Sequence, residues 1–172
     1  MKKIAVLCTL LWLLAGCASA PSVASNADHA AIHQVIASFR TAIIQRDKPR
    51  FLSLFLQDNT PWQAVMSDQS LDSIRLKNPQ AIKARPNPGN NPVSFIDSIV
   101  KDKNSSEETF SNIRIDGDGD VAAVSFDYAF LSNGVATNHG KEVWLMVRTE
   151  GGWKIMTLAW SVTLDPAPAG GK

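Results

Sequence analysis

From residue 28 to residue 46 the apolar positions Ile32, Val35, Ile36, Phe39 and Ile43 recur at threes and fours, while Gln34, Ser38, Thr41 and Gln45 fall between them. That spacing lines one face of an α-helix, with Asn26 or Asp28 as its cap. Asp47 is placed to cap a second helix. Pro49 sits in its first turn, its apolar side is Phe51, Leu52, Leu54, Phe55 and Leu56, and Asp58-Asn59 ends it. Trp62 to Met66 reads as a short strand. Residues 75–92 hold Pro79, Pro86, Pro88, Gly89 and Pro92 and predict a long loop. Asn91-Pro92 then opens a third, short helix over Val93 to Lys101, with Phe95, Ile96, Ile99 and Val100 apolar.

After that helix the period changes from 3.6 to 2. Phe110 to Ile115, Val121 to Leu131, Lys141 to Thr149 and Trp153 to Leu164 alternate or run apolar, rich in Val, Ile, Phe and Trp. Turn residues separate them: Asp116 to Asp120, Ser132-Asn133-Gly134, and Glu150-Gly151-Gly152. Helices followed by an antiparallel meander predict an α+β fold. The first turn, Asp116-Gly117-Asp118-Gly119-Asp120, has the opening spacing of a calcium loop. Val121 stands where such a loop needs glycine, Asp127 where it needs glutamate, and the flanks are strands rather than helices. Asp-Gly between two alternating runs predicts a hairpin turn instead.

The helix-helix-loop-helix-sheet order, the closing Gly151-Gly152-Trp153-Lys154-Ile155 and the helix-terminal Arg46-Asp47 resemble the nuclear-transport-factor-2-like superfamily, which includes polyketide-cyclase-like and ketosteroid-isomerase-like proteins. The resemblance covers nearly the whole domain. It implies a cone, in which a strongly curved antiparallel sheet wraps three N-terminal helices and leaves a pocket at the wide end. Relatives commonly pair through the outer sheet face.

Within that frame the large groups of the second strand, Val124, Phe126, Tyr128 and Phe130, belong on the inner face, which turns Asp127 outward. Met156, Leu158 and Trp160 look like the pocket-lining final strand of ketosteroid isomerases, and Phe39 and Ile43 of the first helix and Gln63 complete the expected lining. The same residues would equally serve a plain core. Steroid-isomerase chemistry needs a carboxylate base and two hydrogen-bond donors. By resemblance the tyrosine position falls on Phe39 and the base on Gln63, neither competent. The oxyanion acid falls on Val143, or on Glu142 after a one-residue slip. Such catalysis is therefore not expected. Glu142, Trp144, Met146 and Arg148 are expected on the outer sheet face as a homodimer surface.

Charge and leader change the picture only in part. The chain has 17 basic and 16 acidic residues, and without Lys2 and Lys3 the balance is 15 against 16. With no basic stripe, nucleic-acid binding is not expected. Lys2 and Lys3 precede an apolar run from Ile4 to Leu14, too short for a resident membrane helix and laid out as a secretory signal. Leu14-Ala15-Gly16-Cys17 is similar to a bacterial lipobox with Cys17 as the lipidated residue, and Ala18 after it favours the outer membrane facing the periplasm. Cleavage after Ala20 also fits. The expected layout is a signal over 1–16, a tether over 17–27, one domain over 28–165 and a tail over 166–172.

Cys8 leaves with the signal and Cys17 is the anchor, so the domain has no thiol. His29 and His33 stand four apart on the first helix without a third ligand, and His139 falls in a loop, so no metal or cofactor is expected. Lys77, Lys83 and Arg85 give the long loop a basic rim. The function read from these residues is a lipid-anchored module binding a small, largely apolar or aromatic ligand. The alternatives are an isomerase, hydratase or cyclase of the same fold, and a protein-interaction role on the outer sheet.

Overall fold

The computed structural model describes residues 25–166; the signal, Cys17 and nearly all of the expected tail lie outside the described residues. Helix α1 runs Asn26–Gln45, beginning inside the expected tether. Its cap is Ser25 rather than Asn26 or Asp28. The Ser25 hydroxyl oxygen accepts from Asp28 N–H at 3.2 Å, and the Asp28 carboxylate accepts from Ser25 N–H at 3.1 Å, a closed capping box. Arg46, left-handed at φ 55°, ends the helix. Asp47 caps the short α2 (Lys48–Leu52). Strand β1 (Gln63–Met66) follows, then α3 (Asp68–Arg75), a helix the apolar pattern does not announce. Asn91 caps α4 (Pro92–Lys101).

The sheet is formed by β2 (Ser106–Gly117), β3 (Val121–Ser132), β4 (Val135–Thr149) and β5 (Gly152–Leu164), each antiparallel to the next, with β1 parallel to β5 at the far edge. The Asp-Gly segment is a turn: Asp118 Oδ1 accepts from the N–H groups of Asp120 and Val121 at 3.0 and 3.1 Å. The β3–β4 turn uses Asn133 and Gly134, both at positive φ, which matches the twist of the flanking strands. Asp127 faces outward, held by Lys141 at 2.7 Å and by the amide of Asn112, the left-handed residue at the irregularity between β2 and β3.

The core lies where α1 and α2 meet the concave sheet face. Phe39 packs on Phe51 with ring centres 4.8 Å apart and on Trp144 at 5.0 Å, and Trp144 stands perpendicular to Phe126 at 5.0 Å. Such offset and edge contacts add to the burial of large apolar area.

Two expectations about facing are corrected. Paired residues on neighbouring strands share a face, and β3 pairs Ala122 with Met146, Val124 with Trp144 and Phe126 with Glu142. Inward Phe126 therefore brings Glu142, Trp144 and Met146 inward too, and all three are buried rather than on the outer face. Val143 and Leu145 occupy that outer face instead. Arg148 belongs to neither, because its guanidinium reaches Asp28 at the narrow end of the cone, at 2.7 Å. The second correction is Met156. Leu145 pairs with Thr157 but Met146 with Ile155, so Met156 is an extra residue that turns outward. Trp153 and Ile155 point inward before it, Leu158 and Trp160 after it.

Candidate functional site

At the wide end the cone keeps a cavity of about 400 Å³. One wall is aromatic. Trp62, just before β1, lies 5.4 Å from Phe95 of α4 and 6.2 Å from Trp160 of β5, ring centre to ring centre. Phe130 of β3 stands edge-on to Phe95 at 6.2 Å. Phe39 and Leu158 continue this surface inward, while Asn90, Asn91, Ser94 and Ser98 add polar groups from α4 and the chain before it.

The sheet itself carries the chemistry beside these rings, since Glu142 pairs across the ladder with Trp160 and Glu108 with Phe130. Glu108 of β2 and Glu142 of β4 both line the cavity and both are about 4% exposed. Burial, then the neighbouring Glu142, holds the Glu108 carboxyl well above the ordinary carboxylate range, and Glu108 keeps its proton and donates it to Glu142. Burial likewise pushes Glu142 up to about 7, opposed by hydrogen bonds from the Trp144 indole and from Glu108. Trp144 Nε1–H donates to Glu142 Oε1 at 2.6 Å. The pair therefore shares protons across neutral pH instead of carrying two charges.

Tyr128 lies between the two strands that supply the acids. Its hydroxyl is 3.0 Å from the Ser161 carbonyl and 2.9 Å from Asn138 Oδ1. Burial, followed by the two glutamates, raises its ionisation further, so it stays a neutral phenol. Gly140, its partner on β4, makes the arrangement possible. A Cβ there would lie 2.1 Å from the Ser161 carbonyl oxygen, so only glycine lets β5 come close enough for that carbonyl to meet Tyr128.

Of the residues singled out from the sequence, Phe39, Tyr128, Phe130, Leu158 and Trp160 line this cavity. Ile43, Val124 and Phe126 are fully buried core beneath it. Gln63 lies outside, its amide donating to the backbone carbonyl of Ala64 at 2.6 Å, and Met156 is on the outer side. Val143 is exposed, so the one-residue alternative, Glu142, is the acid in the cavity. Glu108, Asn138 and Trp62 were not anticipated. Glu108 shares parity with Phe110, a signal hidden because the strand starts four residues before its first aromatic.

The histidines stay apart from this site. His33 borders a shallow groove with Arg40 and Phe110, and His139 Nδ1 lies 2.9 Å from Asp165 Oδ1. Among the described residues no three His, Cys, Asp or Glu side chains form a metal-binding group.

No protein-family model matches the chain, and no curated protein does. Solved structures do. A nuclear-transport-factor-2-like protein of unknown function from Pseudomonas putida KT2440 is similar at TM-score 0.60 and 13% identity, covering 84% of this chain and 99% of that one. A candidate dehydratase of the same family from Streptomyces avermitilis is similar at 0.59 and 17%, over 81% and 99%. A superfamily protein from Salmonella enterica serovar Typhimurium is similar at 0.56 and 14%, over 87% and 100%. The chain has the nuclear-transport-factor-2-like fold.

Proposed function

We propose that the cone holds one small, largely apolar or aromatic molecule, with a polar group of that molecule seated against the Glu108–Glu142 pair. The observation that carries this reading is the pair itself, two carboxyl groups buried side by side in the wall of an aromatic cavity. Replacing a buried ionic cluster by apolar side chains is often stabilising by about 1–4 kcal/mol. A sequence selected only for packing gains nothing from two glutamates here. A volume of about 400 Å³ lies within the range of small-molecule sites.

The test is native mass spectrometry of the protein purified gently from bacterial membranes. A discrete added mass, lost in a folded Trp160→Ala variant, is the expected result. Bare protein from every preparation, with no uptake of any small aromatic probe, would count decisively against the reading.

A second reading, acid–base catalysis of isomerase or dehydratase type, is favoured by one specific observation. Glu142 titrates at about 7 while Glu108 stays protonated, the division of labour that a base and an acid require. The Streptomyces relative named as a candidate dehydratase is consistent with such use of this fold. The steroid-isomerase set is not reproduced, since Phe39 and Gln63 stand at two of its three positions. In both readings the domain is attached through Cys17 to the outer membrane, facing the periplasm. Any homodimer forms through the outer face at Val143 and Leu145. Leu145→Glu, read by light scattering, tests that contact.

A further inference from the structure

The cavity is acidic without compensation. Among the described residues no lysine, arginine or histidine lines it. The cations of this region are used elsewhere: Lys48 pairs with Asp97, Lys141 with Asp127, and Arg40 with Glu107. The groups facing the glutamates are neutral or acidic. Phe39 comes from α1, Tyr128 from β3, Asn138 from β4 and Trp160 from β5, and a third acid, Asp165, acts on Tyr128. The one neutral donor to the pair outside its own shared proton is the Trp144 indole.

Trp160 and Phe130 stand beside the acids as the cross-strand partners of Glu142 and Glu108. The rings of Trp62 and Trp160 are nearly perpendicular, at 87°, and those of Phe95 and Phe130 meet at 71°. Aromatic rings set at steep angles around one space, beside uncompensated carboxyl groups, attract a positive charge by quadrupole and by Coulomb force together. A further group points to an occupant: the Trp62 indole N–H is buried, belongs to the cavity wall and has no acceptor.

We infer that the cavity takes an organic ammonium ion, an amine on a compact apolar or aromatic body. Its cationic head lies against Glu108 and Glu142 among the surrounding rings, and an oxygen on the body accepts from Trp62 Nε1. The inference rests on the small-molecule reading above and names its ligand class.

Entry of the cation changes the proton balance of the pair. The ammonium arrives with its charge, Glu142 gives its proton to solvent, and Glu108 keeps its own, so one positive charge meets one negative. Binding therefore releases a proton wherever Glu142 is still protonated. With Glu142 titrating near 7, affinity for an ammonium rises about 10-fold from pH 6 to pH 8. A neutral molecule of the same shape gains nothing from that ionisation.

The experiment is tryptophan-fluorescence titration of the purified full chain at pH 6 and pH 8, with proton release followed by calorimetry in two buffers. The probes are phenethylamine and tryptamine, each beside its neutral isostere, 2-phenylethanol and tryptophol. The amines are expected to bind at least ~10-fold tighter than the alcohols at pH 8, and only the amines to tighten with pH. Glu142→Gln, which keeps shape and an acceptor for Trp144, is expected to abolish both the preference and the pH dependence. Circular dichroism confirms that the variant is folded.

Alcohols binding as well as amines, with no pH response, would overturn the ammonium inference and leave the small-molecule reading standing. Failure of all four probes to bind folded protein would overturn both.

Discussion

The cone buries carboxyl groups at both ends and treats them in opposite ways. At the narrow end Asp28 accepts from Ser25 N–H and hydroxyl, from the Arg148 guanidinium at 2.7 Å and from the Trp153 indole at 3.3 Å. Hydrogen bonds from Ser25, with Trp153 and Arg148 behind them, hold its carboxyl below the ordinary range despite burial. At the wide end Glu108 and Glu142 share one indole donor and no cation, and both are pushed up. Asp28 closes α1 onto the β4–β5 hairpin and is complete without anything from outside. The glutamate pair is left in need of something the chain does not supply. A saturated carboxylate marks a joint, whereas an unsaturated pair beside a cavity marks a site.

The strongest way to break this contrast is through the residue that ties the pair to the core. Trp144→Ala removes the largest fully buried side chain and the pair's one indole donor. A loss of about 3–5 kcal/mol in urea unfolding is expected, with ligand binding lost as well.

Next comes pH. The unfolded chain surrenders the Glu142 proton near 4.5, the folded chain near 7. The folded state therefore binds more protons between these values, and stability falls as pH rises through that window, by about 1.4 kcal/mol per unit. Glu142 alone is expected to lower stability by on the order of 3 kcal/mol between pH 4.5 and pH 8 in denaturant titrations, a share removed in Glu142→Gln. The buried Glu108, also raised, adds a decline of the same sign that remains in that variant. Asp28 acts with the opposite sign, its contribution present above the ordinary carboxylate range and lost as pH falls through its lowered value.

A smaller effect separates stability from function. Glu108→Leu combined with Glu142→Gln removes the buried acids while keeping an acceptor for Trp144. It is expected to stabilise the fold by about 1–3 kcal/mol at pH 7 and to eliminate ligand binding. The smallest change belongs to the other end. Asp28→Ala opens the capping box and frees Arg148, and a drop in Tm of about 5 °C with ligand binding intact is expected. Loss of binding there would mean that the two ends are coupled.

Much of the scaffold is legible in the sequence, because α1 repeats Ile32, Ile36, Phe39 and Ile43 at helical spacing and each hairpin carries its own turn residues. Helix α3 is hidden for a physical reason. Its apolar face amounts to Leu71 and Ile74, too little for a period to register, and the Ser67 cap is the sole local sign. The site was harder to see. Glu142 and Arg148 flank Trp144 and Met146 with equal parity, and two charges on one face read as solvent-facing. What reverses that reading is the cross-strand register with Phe126, a long-range fact that no local alternation contains. The glutamate pair is likewise visible only once β2 and β4 lie on either side of β3.

The outward turn at Met156 has a consequence for how this domain can vary. By adding one residue it gives β5 two independent halves, the first closing the core with Trp153 and Ile155, the second presenting Leu158 and Trp160 to the cavity. The second half can accumulate substitutions that reshape what the cone accepts while the first goes on holding the helices. A lineage can thus change its chemistry without renegotiating its architecture. Removing that single residue would fuse the two programmes and rotate the Trp160 indole out into solvent.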